Sequence, residues 1–136
     1  MMIKLSEVLF ENIPTTPSKR DLLDAVEYAE ESYGESLPNN ISLSNFSLKY
    51  LGKLSVRELS QYADFSSWLE NIEDEEEMIS FRGKEWFNRM ESLNSIPPIV
   101  VVEGPDFIDI GDGRGRVTYA AWKNIPLETW LLSLDK

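Results

Sequence analysis

The sequence contains neither cysteine nor histidine. Without cysteine there is no disulfide, no thiolate nucleophile and no Cys-based zinc site. Without histidine, the Ser-His-Asp and Cys-His nucleophile systems and the usual imidazole metal sites are excluded. So is the side chain best suited to proton transfer near neutral pH. Any chemistry must rest on carboxylates, Arg, Lys, Tyr, hydroxyls or backbone amides. Positive charge is scarce as well: 13 Lys and Arg stand against 24 Asp and Glu, a net charge of −11. Such a surface repels phosphate backbones and lacks the cationic surplus that duplex binding uses, so general DNA binding is not expected outside a local basic pocket. The first ten residues mix Lys4, Ser6 and Glu7 among apolar side chains. That pattern fits neither a signal peptide nor a bilayer span, so a cytoplasmic protein with no membrane association is expected.

What is present argues for one folded domain. The 136 residues are 42% hydrophobic and include four Trp and six Phe, enough large apolar surface for a single core despite the charge. A short helical turn is predicted over residues 6–12, stopped at Ile13-Pro14. A second helix is predicted from Ser18, with Asp21 three residues on and an apolar stripe of Leu22, Val26 and Ala29, ending near Tyr33-Gly34. Residues 41–53 alternate weakly, interrupted by Asn45, and read as an irregular strand. Ser55 and Glu58 have capping-box spacing for a short helix carrying Leu59 and Tyr62, and Phe65, Trp68, Leu69 and Ile72 continue at helical spacing. Six of the eight residues 70–77 are acidic, which reads as a solvated face with partner mimicry as its alternative.

The second half is better punctuated. Trp86, Phe87, Met90 and Leu93 give residues 82–93 the apolar face of a helix, closed by Pro97-Pro98. Ile99-Val100-Val101-Val102 is a β-branched run typical of a strand covered on both faces. Gly104-Pro105-Asp106 makes a turn, and Phe107-Ile108-Asp109-Ile110 returns as the partner strand of a hairpin. Residues 127–134, with Trp130, Leu131 and Leu132, read as a closing strand or short helix beside that hairpin. Trp86, Trp122 and Trp130 lie at apolar spacing and are assigned to the core rather than to base stacking.

Between these elements lies Gly111-Asp112-Gly113-Arg114-Gly115-Arg116, leading into a helix-compatible stretch over 117–122. Alternating glycines let backbone amides approach an anion, a helix start adds its positive dipole end, and Arg114 and Arg116 add guanidinium forks suited to phosphate oxygens. The spacing is neither the dinucleotide-binding nor the Walker pattern. A tight turn whose arginines pair with Asp109, Asp112 or Glu103 accounts for the same residues structurally.

The succession of the Pro97-Pro98-Ile99 strand, hairpin, glycine-arginine box and following helix resembles the ParB/sulfiredoxin-like superfamily over about residues 80–132, extending back toward Ile41. The resemblance implies an α+β fold: a small mixed sheet flanked by helices over residues 41–136, with residues 1–40 as an N-terminal helical extension and the whole one compact unit. It matches Gly113 to the family's box glycine and Arg116 to the arginine that meets nucleotide phosphates. Arg114 stands where sulfiredoxins need cysteine, which excludes their reductase chemistry, and where ParB proteins often carry the Glu that assists hydrolysis. Gly115 replaces a frequent His or Arg, and Tyr119 a common Ala. With the chain ending at Lys136, an isolated domain without a helix-turn-helix reader is expected.

Two principal functions follow. The first is a nucleotide- or phosphate-binding domain, with or without hydrolysis or phosphotransfer. Gly111, Gly113, Arg114, Gly115 and Arg116 would bind the ligand, Asp112 and Asp109 would serve as catalytic carboxylates, and Asp112 would hold Mg²⁺ accompanying a nucleotide. Glu103, at the end of the core strand, is a further carboxylate. The second is a non-catalytic acidic interaction protein, such as an inhibitor or DNA mimic, that binds a basic partner protein. Nuclease activity, which the resemblance implies because some members of that superfamily are described as nuclease-like, ranks third because the charge opposes substrate approach.

Overall fold

A computed structural model describes residues 15–63 and 72–135. Among these residues the chain is α+β, with five α-helices and one four-stranded mixed sheet. The predicted turn over residues 6–12, together with Phe65, Trp68 and Leu69, lies outside the described residues. Helix α1, Lys19–Tyr33, starts where Ser18 accepts a hydrogen bond from the Asp21 amide at 3.1 Å, and it buries Ala25, Val26 and Ala29. The ambiguous stretch over 41–53 separates into a 3₁₀ turn, Leu43–Asn45, and strand β1, Phe46–Leu54. Asn45, which breaks the alternation, closes that turn: its side chain accepts from the Ser42 amide at 2.8 Å.

Helix α2, Val56–Leu59, carries the Ser55/Glu58 capping box that its spacing predicts. The helix predicted over residues 82–93 is present over Lys84–Ser92. Helix α3, Glu75–Arg82, and helix α4, Lys84–Ser92, meet at Gly83, whose φ of 93° ends one and starts the other. Phe87 and Met90, three residues apart, are the buried face of α4. Asp74 caps α3, and Glu75, Glu76 and Glu77 occupy its exposed first turn, where the helix dipole favours negative charge.

Strands β2, Ile99–Glu103, and β3, Ile108–Asp112, form the expected hairpin. Helix α5, Arg114–Lys123, then carries the chain to β4, Leu127–Leu134, a strand rather than a helix. The sheet order is β1-β4-β2-β3, with β4 parallel to β2 and antiparallel to β1. The central strand β2 is buried on both faces and sorts its side chains by the two-residue period. Ile99 and Val101 join Leu59, Val117, Ala120 and Leu127 under α2 and α5. Val100 and Val102 join Ala25, Val26, Ala29 and Leu132 under α1. A third cluster, Met78, Phe87, Met90 and Tyr119, fastens α3 and α4 to α5, with Trp86 and Trp122 packed against it. Residues 19–33 thus cover one face of the sheet. Among the described residues no helix is long and apolar enough to cross a membrane.

Candidate functional site

The glycine-arginine segment joins the end of β3 to the start of α5. Pairing between β2 and β3 slips so that Val100 faces Asp112 while Val101 faces Ile110, which leaves Gly111 as an extra, bulged residue. Ala25 of α1 sits over Gly111: a Cβ there would lie 2.8 Å from the Ala25 Cβ. Gly113 is the N-cap of α5 in the left-handed region, φ 102°, and a Cβ on it would lie 2.6 Å from Ile99 Cγ2. Only glycine fits that position without strain. The amides of residues 114–116, the first turn of a ten-residue helix, have no acceptor within the helix geometry.

Both predicted arginines meet carboxylates. Arg116 Nη2 donates to Asp112 Oδ2 at 2.8 Å, and its Nη1 donates to the Pro98 carbonyl. Its guanidinium thereby clamps the helix start to the approach of β2. Arg114 lies over the Tyr28 ring, 4.7 Å from the centroid, with Nη2 donating to the Tyr28 hydroxyl and standing 3.3 Å from Asp109 Oδ2. A third arginine enters the site from α3. The Arg82 guanidinium faces Gly115, where a Cβ would stand 3.1 Å from its Cζ, and it stacks near Phe81 and Trp86. Among the described residues no carboxylate pairs with Arg82. Arg82, Arg114 and Arg116 line one cavity of about 170 Å³ with Trp86, Asp112, Gly113 and Gly115.

The predicted carboxylates have different surroundings. Asp109 is buried and well served: the hydroxyls of Tyr28 and Tyr33 donate to Oδ2 at 2.6 and 2.8 Å, and the Ile110 amide donates to Oδ1 at 2.7 Å. This environment ties α1 to β3. Asp112, half-buried, lines the cavity, and burial pushes its carboxyl above the ordinary range, with Arg116 opposing and the nearby Asp21 and Asp24 adding to the rise. Asp21, Asp24 and Asp112 place carboxylate oxygens within 4.8 Å of one another. Glu103, at the end of β2, accepts from Ser133 on β4 at 2.9 Å.

The structure therefore brings together Asp112, Gly113, Arg114, Gly115 and Arg116 around the cavity. It places Gly111 against α1 and turns Asp109 toward the tyrosines. Sequence reasoning missed Arg82, Tyr28, Tyr33, Asp21 and Asp24. Arg82 closes α3 just after the acidic run, and the two tyrosines occupy an ordinary amphipathic helix, so no local signal marks them. The chain matches no protein-family model, no curated protein and no solved structure.

Proposed function

We propose that this chain binds a phosphoryl or similar oxoanionic group in the cavity at the start of α5. The observation that carries the reading is that Arg82, Arg114 and Arg116 line one cavity with Gly113 and Gly115 at the start of a helix, in a chain of net charge −11. Three arginines line this one small cavity, Arg114 and Arg116 in ion pairs with Asp109 and Asp112, and they gather positive charge in an otherwise acidic protein. The volume of about 170 Å³ sets the scale: sites that enclose drug-sized ligands run to roughly 300–1,000 Å³. A phosphate group is the part that enters, and the rest of a nucleotide would lie outside, beside Trp86. The order of strand, hairpin, glycine-arginine box and helix supports the ParB/sulfiredoxin-like resemblance and, through it, a nucleotide ligand. Mg²⁺ accompanying the phosphate would be held by Asp112, a hard oxygen donor that suits it, and would supply charge neutralisation.

Arg82→Ala is the discriminating variant, because Arg82 is exposed and its contacts are aromatic, whereas Arg116→Ala would also break the Asp112 and Pro98 contacts. Calorimetric titration with inorganic phosphate, nucleoside triphosphates and Mg²⁺ should show binding that Arg82→Ala weakens by about tenfold, the loss of a charge-assisted hydrogen bond. No binding by the wild-type chain at millimolar ligand overturns the reading.

A second reading, an acidic surface that captures a basic protein, is favoured by α1 and its flank. From Asp21 to Leu48 there are six carboxylates and no Lys or Arg, and the last turn of α1 holds Glu30 and Glu31 with no basic residue. Negative charge at that end opposes the helix dipole, and Glu27 and Glu31 repel at i,i+4 spacing, so these residues stand against the helix's own stability. A partner bound through this face should be captured at low salt and released at about 0.5 M. Glu27→Lys/Glu31→Lys should abolish the capture, and capture indifferent to both salt and charge reversal would sink this reading.

A further inference from the structure

We propose that the arginine cavity and the seating of α1 are linked through Arg114, so that an oxoanion in the cavity loosens α1 and a loosened α1 strengthens anion binding. This proposal rests on the oxoanion reading given above. Arg114 belongs to two constellations. It lines the cavity at the start of α5, and its guanidinium also lies over the Tyr28 ring with Nη2 at the Tyr28 hydroxyl and 3.3 Å from Asp109 Oδ2. That same Oδ2 receives the hydroxyls of Tyr28 and Tyr33, so one carboxylate oxygen gathers the polar ties between α1 and β3.

Asp109 is 7% exposed, and among the described residues Arg114 is the cation within ion-pair distance of it. The 3.3 Å separation is longer than the roughly 2.7–2.9 Å of a tight charge-assisted bond. An anion in the cavity competes with Asp109 and the Tyr28 hydroxyl for that guanidinium. When Arg114 turns to it, Asp109 keeps two phenol donors and an amide but loses its counter-charge, and an uncompensated buried carboxylate is costly. The carboxylate regains water only if α1 lifts. Linkage then runs both ways: whatever unseats α1 releases Arg114 and raises the affinity of the cavity for anions.

The test is hydrogen exchange of the full chain with and without inorganic phosphate, read over residues 19–36, together with calorimetric titration of phosphate into wild type and Asp109→Asn. Ligand binding ordinarily slows exchange throughout a protein. Here phosphate should instead speed exchange in α1 while slowing it in α5. Asp109→Asn, which removes the charge holding Arg114, should bind phosphate about fivefold more tightly, the low end of ordinary coupling. If phosphate binds and α1 exchange stays the same or slows, or if Asp109→Asn binds no more tightly than wild type, the linkage is overturned and the oxoanion reading survives. Absence of phosphate binding in both proteins overturns the two together. The wild-type exchange comparison decides the matter alone should Asp109→Asn not fold.

Discussion

Asp109 and its two phenols hold the strongest local chemistry on the α1 side of the sheet. Burial and the adjacent carboxylate raise the Tyr28 phenol, and they push Tyr33 up to about 12 from its ordinary 10.0. Ionising either phenol would remove a donor and set a second negative charge against Asp109. The folded state therefore holds these protons more tightly than the unfolded chain does. Their contribution to stability is complete below pH 10 and is lost as pH climbs toward 12. Tyr50 against Glu128 behaves alike, also reaching about 12. Urea unfolding at about pH 9 and about pH 11 should show wild type losing stability, with Tyr33→Phe losing less because one linked proton is gone. An equal loss in both proteins would mean that Tyr33 keeps its proton no better folded than unfolded. None of this was legible in the sequence. The spacing of Tyr28 and Tyr33 marks an amphipathic helix, and their common partner lies on a strand some 80 residues away.

At the level of elements, legibility followed how local the determining physics is. The capped starts of α1 and α2 rest on hydrogen bonds spanning three residues, so Ser18, Ser55 and Glu58 announce them. Strand β2 announces itself by four β-branched residues in a row. The turn at Gly83 that separates α3 from α4 depends on one positive φ, and the role of β4 depends on which strands it pairs with. The candidate site was legible only along its own loop. The glycines and arginines of residues 111–116 are local, whereas Arg82 arrives by the packing of α3 and α4 against α5. The contact of α1 with the β3 bulge is likewise long-range. Gly111→Ala sets a Cβ 2.8 Å from the Ala25 Cβ and 3.1 Å from Val102 Cγ1, neither of which can give way freely. Urea unfolding should report a loss of about 1–3 kcal/mol, as for overpacking elsewhere. A neutral result would show that α1 rides more loosely on the sheet than the close packing of Ala25 indicates.

Across the whole molecule the excess of negative charge outweighs every other electrostatic feature. Three ion pairs occur among the described residues, and two of them sit at the candidate site, so most surface carboxylates face solvent and one another. Raising ionic strength from about 0.01 M to about 0.15 M shortens the Debye length from roughly 30 Å to roughly 8 Å. The melting temperature should rise by a few degrees over that range as self-repulsion is screened. A fall would mean that the surface ion pairs outweigh the repulsion. The same salt series should weaken phosphate binding, since it screens the attraction between the cavity and the anion. Stability and affinity are thus expected to move in opposite directions, which separates an effect on the fold from an effect on the site.

The pairing of β1 with β4 has a kinetic consequence. Over residues 99–134 the hairpin, crossover helix and returning strand follow one another in the sequence. Strand β1 must instead meet a partner from the far end of the chain, Phe46 opposite Leu134. Closing so long a loop carries an entropic cost that the nearer contacts avoid, so the early nucleus belongs to the C-terminal half, and β1 zips onto the rim of the sheet late. Substitutions at Val101 should then slow folding, while those at Leu48 should chiefly hasten unfolding.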